Sequence, residues 1–247
     1  MYFHPVHKIS YFHWGDDFVV VGMRKHTQWL RRHVSQTLIV KERGTLGPRP
    51  TDLKEITILH RTVRWLDATG GHDTCIEYCA DPRHAEVLMH QCGLGSKSAK
   101  GVVTPAEKIT PTPENLQPLS EHDCIGYRSA CMRAGYLALD RGDIQFAAKE
   151  CARGMSQPTV RHGLMLKRLV RYLVLFPNMV WVFRRQRWPG RIKVWSDTDW
   201  AGCPLTRRST SGTVVTFGLH MWFMLSSTQV PISLSSAEAE FHGLVKA

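Results

Sequence analysis

The sequence predicts an α+β protein, with strands towards both ends and helices through the middle. Three observations carry that expectation. Apolar residues alternate or run in short blocks near residues 9–22, 55–79 and 191–234. They recur at helical spacing near 24–41, 123–139, 143–155 and 159–176. Between them lies "KGVVTPAEKITPTPENLQPLS", a Pro-, Thr- and Lys-rich stretch that reads as a linker.

Taken in order, "YFHWGDDFVVVG" (11–22) holds two short strands around a tight turn at Gly15-Asp16. Trp29, Leu30, Val34 and Leu38 then repeat at helical spacing among basic residues, until "RGTLGPRPTD" breaks the helix. "EITILHRTVRWLD" and "TCIEYCA" alternate like paired strands joined by the Gly-rich "ATGGHD". Asp81-Pro82 predicts an N-cap followed by Pro at the first helical position. Past the linker, "TVRHGLMLKRLVRYL" sets Leu164, Lys167, Arg168 and Arg171 at helical spacing, an amphipathic helix with a basic face. That face is either solvated or turned towards phosphate. "RIKVWSDTDWAG", "SGTVVTFG", "HMWFMLSS" and "VPISLSS" read as short strands, and Ser235 or Ser236 caps a last helix with early glutamates.

At 247 residues, 43% apolar and 21% charged, the chain has the composition of a globular protein with ample core. A formal net charge of +11 suits a polyanion such as nucleic acid, or simply a soluble basic surface. "MYFHPVHKIS" has no apolar h-region, and no apolar run reaches the roughly 20 residues of a membrane span. Seven cysteines, an odd and scattered set, predict free thiols in a reducing compartment. The expected location is therefore intracellular, cytoplasm or nucleus, and not secreted. "HDTCIEYC" with His84, His90 and Cys92 suggests zinc, yet alternation puts Cys75, Glu77 and Cys79 on one strand face and no second well-spaced pair follows. Ordinary thiols are the better reading.

The carboxylates that invite chemistry form two groups. Asp16 and Asp17 sit side by side at a turn inside an apolar run, where like charges repel unless a cation compensates. Asp197 and Asp199 lie in "VWSDTDW", with Glu238 and Glu240 in "AEAEF" available to join them. Phosphoryl transfer often uses two Mg2+ ions held by a few carboxylates on rigid backbone. A metal pair would relieve the repulsion in "GDD".

The final third, "VWSDTDWAGCPLTRRSTSGTVVTFG" through "SLSSAEAEF", resembles the ribonuclease H segment of copia-type retrotransposon polyproteins, "SDADWAGD…TRRSTSGYVFFLG…LSSAEAEY". Upstream, "YRSACMRAGYLALDRGDIQFAAKECARGMSQPTVRHGLMLKRLVRYL" is similar to the same family, and "YFHWGDDFVVVG" falls where its reverse transcriptase carries a "YVDD" hairpin. The resemblance is specific over roughly the last half of the chain; between about 24 and 110 it lies in the layout alone, with "VVTP" like the family's "TP" before the linker. It implies the end of a palm and a thumb-like region over 1–110, a linker at 111–122, a helical connection over 123–190 and the first half of an RNase H-like domain over 191–247. Asp16 and Asp17 then match the polymerase carboxylates, and Asp197 and Glu240 two acids of the nuclease site. These four are the expected catalytic and Mg2+-binding residues, while Asp199 and Glu238 receive no catalytic role. Lys167, Arg168, Arg171, Arg207 and Arg208 are the candidates for phosphate contact.

The intact parent of such a segment is expected to copy an RNA template with deoxynucleotides and to cleave the RNA of an RNA–DNA hybrid. Departures point to an alternative. A third palm carboxylate would lie before Tyr11 and a further nuclease acid after Ala247, so the chain is expected to be a fragment, and inactive alone. The alternative reading is a catalytically dead retroelement remnant that at most binds nucleic acid. Gly142 replaces the family's Pro, Gly163 stands where an aromatic is frequent, and "RGD" (141–143) is expected to be incidental.

Overall fold

The computed structural model describes residues 1–68, 74–96 and 98–247. They divide into two compact units, Met1–Thr45 and Leu46–Ala247.

In the first unit, β1 (Tyr2–His4), β2 (Ile9–Trp14) and β3 (Asp17–Val21) form an antiparallel sheet in that order. The β2–β3 hairpin closes through Gly15, whose φ of +59° suits the first central position of a two-residue turn. β1 carries no alternation long enough to announce itself. α1 (Arg24–Val34) stops well short of Lys41. The residues beyond it include Thr37, Ile39 and Val40, β-branched side chains that lose rotamer freedom in a helix, and Ile39 finds no cover in the fold. The helix buries no residue fully. It leans instead on a histidine cluster, with Trp29 3.9 Å from His7, 4.3 Å from His33 and 5.3 Å from His4 between ring centroids. His26 Nδ1 is 2.5 Å from the carbonyl of His7 and ties α1 to the β1–β2 turn.

The second unit begins with a four-stranded antiparallel sheet, β4 (Glu55–Ile58), β5 (Arg61–Leu66), β6 (Cys75–Cys79) and, far along the chain, β7 (Val180–Arg184). "EITILHRTVRWLD" is thus a hairpin, not one strand. Its turn residues Leu59 and His60 take φ of +49° and +64°, a conformation that bulky side chains seldom adopt and that no Gly or Asn announced. Most of the expected turn "ATGGHD" lies outside the described residues. α2 (Arg83–Gln91) starts one residue later than the Asp-Pro signal suggests, and Asp81 Oδ1 still accepts from the backbone N–H of Arg83 at 3.0 Å.

α3 (Glu121–Leu137), a 3-10 turn at Gly142–Ile144, α4 (Gln145–Ala152) and α5 (Val160–Leu175) pack with α2 around the main core. Tyr127, Ala130, Cys131, Ala134 and Leu137 give α3 one continuous buried face, which meets Ala147, Ala148 and Cys151 of α4 and Leu166, Leu169, Val170 and Leu173 of α5. So many small residues let the helices approach closely. All seven cysteines are unpaired.

The Pro- and Lys-rich stretch is bound along α5. Arg171 Nε donates to Lys100 O at 2.9 Å, Arg168 Nη2 to Thr104 Oγ1 at 2.7 Å and Arg161 Nε to Ile109 O at 3.0 Å, while Arg168 also pairs with Glu107. The boundary between compact units falls at Thr45 rather than in this stretch. Arg141 of "RGD" is 1% exposed, bonded to Asp143 and to the carbonyls of Phe176 and Pro177. Its tripeptide is an internal clasp.

The C-terminal part is an antiparallel meander, β8 (Ile192–Thr198), β9 (Thr210–Phe217) and β10 (His220–Thr228), with β9 in the middle. α6 (Ser236–Lys246) packs on β8 and β9, capped by Ser235, which accepts from the N–H of Glu238. Among the described residues no helix is long and apolar enough to cross a membrane.

The start of α5 carries a testable pH dependence. Thr159 N–H donates to His162 Nδ1 at 3.1 Å, completing a capping box that needs a neutral imidazole. Burial, then Arg161 and Arg153, lower the pKa of His162. A histidine whose folded pKa lies below its unfolded value stabilises the fold above about pH 6.5 and loses that contribution as the pH falls. Tm should therefore drop between about pH 7.5 and about pH 5.5. His162→Gln, which accepts the same bond without titrating, should flatten that part of the profile; an unchanged profile would contradict the assignment.

Candidate functional site

The β2–β3 turn holds Asp16 in solvent, and Asp17 opens β3 opposite Trp14. Asp17 Oδ1 lies 3.5 Å from Arg43 Nη2, a contact within the first unit, whereas Asp16 has no side-chain partner among the described residues. Among the described residues, Arg43 is thus a cation that this carboxylate pair has beside it. A third carboxylate does not join them. Among the described residues no group of three or more His, Cys, Asp or Glu could hold a metal ion.

In the second unit, Asp197 lines an open cleft of about 580 Å3 between the β8–β10 sheet and the start of α4. Its walls include Trp195, Asp199, Gln145, Phe146 and Met224. Gly142 permits the approach: a Cβ there would stand 2.4 Å from Met224 Sδ. The Asp197 carboxylate is exposed and has no side-chain partner among the described residues.

Asp199 differs from it. Its Oδ1 accepts from the backbone N–H of Thr210, and a Cβ at Gly202 would meet its Oδ2 at 1.9 Å. Asp199 is therefore the staple of the β8–β9 loop.

Glu240, expected beside Asp197, is not brought to it. α6 sits on the face of β8 that presents Ser196 and Thr198, since a Cβ on Gly243 would be 2.3 Å from Thr198 Oγ1 and 3.1 Å from Ser196 Oγ. Successive strand residues point to opposite faces, so Asp197 turns away from α6 and into the cleft. Motif spacing recorded that both acids belong to neighbouring elements, and only the register of the helix on the sheet decides whether they meet. Glu238 closes the helix start by accepting from Leu234 N–H at 2.7 Å.

The layer under α6 is polar. Thr198, Ser211 and Ser227 form one cross-strand row, and Gln229 Nε2 bridges Ser211 Oγ (3.0 Å) to Ala239 O (2.8 Å). The hydroxyls of Ser196, Thr198 and Ser227 are buried without a hydrogen-bond partner among the described residues. Nothing in the strand pattern marked this layer.

The predicted basic residues divide. Arg168 and Arg171 are engaged by the 100–107 stretch, while Lys167 is exposed. Arg207 and Arg208 are exposed at the tip of the β8–β9 loop, Arg207 with φ +56°. α4 anchors that loop. Lys149 Nζ donates to Thr210 Oγ1 (3.0 Å), and Arg153 Nη2 donates to Cys203 Sγ (2.8 Å) and Thr206 Oγ1 (3.1 Å). Burial raises the Cys203 thiol, but hydrogen bonds from Thr206, the Leu205 backbone and Arg153 outweigh it and bring the pKa to about 7. Burial likewise opposes the charge on Glu150, and Lys149 and Arg153 more than offset it, holding the carboxyl below its usual range.

The contrast between the two aspartates is measurable. Asp199→Ala should destabilise the second unit by about 1–3 kcal/mol, because the Thr210 N–H loses a charged acceptor. Asp197→Ala should change stability by less than about 0.5 kcal/mol. Denaturant titration giving equal losses would remove the distinction.

No family model and no solved structure matches the sequence. Among curated proteins, an uncharacterized mitochondrial protein of Arabidopsis thaliana, AtMg00810, is 27% identical over 170 residues, 68% of each chain. The retrovirus-related Pol polyprotein from transposon RE1 of the same plant is 34% identical over 122 residues, 49% of this chain and 8% of the polyprotein. Secreted RxLR effector protein 161 of Plasmopara viticola is 32% identical over 124 residues, 50% of this chain and 87% of the effector. The transposon matches, and the relative that parallels most of the chain, place it among the retrotransposon Pol-related proteins.

Proposed function

We propose that this retrotransposon-derived chain is a copia-type Pol segment that joins the end of a reverse transcriptase to the first part of an RNase H-like domain. The order of its acidic positions supports this most. Asp16-Asp17 tip a hairpin, a helical region follows, and a meander bearing Asp197 then leads to a helix bearing Glu240. In the intact parent this reading assigns RNA-directed DNA synthesis from deoxynucleotides, cleavage of the RNA in an RNA–DNA hybrid, and an intracellular setting. Mg2+ would supply charge stabilisation to phosphoryl transfer in both sites.

The residues of this chain do not complete either site by themselves. Mg2+ needs several oxygen ligands. Asp16 and Asp17 offer one pair, half of it beside Arg43, and Asp197 and Glu240 lie on different faces of the last sheet. No catalytic step is therefore assigned to the chain alone. The same incomplete sets favour a second reading, a non-catalytic remnant that binds nucleic acid.

Primer extension on an RNA template and cleavage of a hybrid, both with Mg2+, separate these readings. The 247-residue chain should show neither activity. Joined to the flanking Pol segments of the RE1 polyprotein it should gain both, with Asp17→Asn abolishing extension and Asp197→Asn abolishing cleavage. Activity of the chain alone, or activity in the joined protein that survives those substitutions, would overturn the assignment. A joined protein that binds the hybrid yet never turns over would support the remnant.

A further inference from the structure

We propose that the connector between β7 and β8, together with the aromatic surface beside it, binds single-stranded nucleic acid. This deepens the Pol reading by naming a part of the chain that grips a strand, and rests on it for the identity of the polyanion.

The first observation is unanswered charge. "RRQRWPGRIK" (184–193) places Arg184, Arg185, Arg187, Arg191 and Lys193 within ten residues, and all five are exposed. None makes a side-chain hydrogen bond or ion pair among the described residues. No Asp or Glu occurs between Glu150 and Asp197, so the stretch carries no carboxylate of its own. Arg168 shows the contrast, since its charge is consumed by Glu107.

The second observation is an aromatic stack next to these cations. Trp188 is 83% exposed and meets Phe217 edge-on at 4.9 Å. Phe217 in turn stacks on Trp222, 64% exposed, at 5.7 Å and 25°. Two indoles left this open, beside five free cations, form a surface on which unpaired bases can stack while arginines follow the phosphates. A duplex hides its base faces and would forfeit the stacking.

The surface is built rather than loose. Gln186 Nε2 donates to Phe217 O (2.9 Å), and its Oε1 accepts from Leu219 N–H (2.7 Å). A Cβ on Gly218, φ +62°, would stand 2.2 Å from that Oε1, so the β9–β10 turn is moulded around the glutamine. His220 Nε2 lies 2.6 Å from Arg184 O and fixes the other end of the contact. Connector and turn therefore form one fixed edge.

The test uses the full chain in EDTA, with anisotropy of labelled oligo(dT) followed over a salt series. Each phosphate contact to a single strand contributes a slope of about −0.7 in log K against log salt. Replacing Arg185, Arg187 and Arg191 together by Gln should flatten the slope by about 2. Trp188→Ala should weaken binding roughly tenfold and leave the slope unchanged, the mark of a stacking contact. The single strand should bind more tightly than a duplex of the same length. All variants should keep the parent's Tm, because the altered side chains stand in solvent. A triple variant with the parent's slope, or tighter binding to anionic phospholipid vesicles than to oligo(dT), overturns the proposal. The readout needs no Mg2+, so absent cleavage leaves it untouched, and lost strand binding leaves the carboxylate reading untouched.

Discussion

Four consecutive residues, Asp140 to Asp143, hold the second unit together. Asp140 accepts from Arg61 of β5 (2.8 Å) and from the Tyr78 hydroxyl of β6 (2.7 Å), and its carbonyl accepts from the Trp181 indole of β7. Arg141 grips Asp143 and the chain leaving α5, and Tyr172 of α5 donates to the same Asp143. Gly142 lets β10 come close. The four-stranded sheet, the helical core and the last sheet are all fastened at this corner. Arg141 is 1% exposed, and a charge so deep is tolerable only with its partners, so removing Asp143 would strand it at a cost of about 3–5 kcal/mol. The corner explains how β7, about a hundred residues after β6, finds its place beside it.

Much of the layout was legible in the sequence because it depends on local rules. The Gly15-Asp16 hairpin, the three central helices, the Ser235 cap and the strands β8, β9 and β10 follow from periodicity and turn chemistry, whereas "VPISLSS", read as a further strand, forms none. What escaped obeys no local rule. The Leu59-His60 turn uses side chains that resist positive φ, and β7 reads as the tail of an apolar run until β6 is available to pair with it. The basic face of α5 is visible as a pattern, but its engagement by Lys100–Glu107 depends on a segment 60 to 70 residues away. Motifs single out carboxylates as candidates; the side of the sheet each one faces does not follow from them.

Positive charge has two uses in this chain. On α5 and α4 it is spent internally, with Arg161, Arg168, Arg171 and Arg153 each fixing a loop or strap through carbonyls, a carboxylate or a thiol. On the β7–β8 connector it is left open, next to exposed indoles. Net charge alone does not distinguish these uses, and the helical spacing that marks a basic face points first to the arginines that are already occupied.

The close seat of α6 on the last sheet has a consequence for how the lineage can drift. Gly243 lies over the Thr198 and Ser196 hydroxyls with no room for a methyl group, while Leu244 and Val245 next to it are 65% and 72% exposed. Under selection for this fold, position 243 takes a side chain only if the Thr198 hydroxyl turns aside, and its two exposed neighbours are under no such constraint. Once that selection lapses, all three positions wander at the neutral rate. Less diversity at 243 than at 244 and 245 among sister copies in one genome therefore marks copies whose fold is still under selection, whatever chemistry they perform.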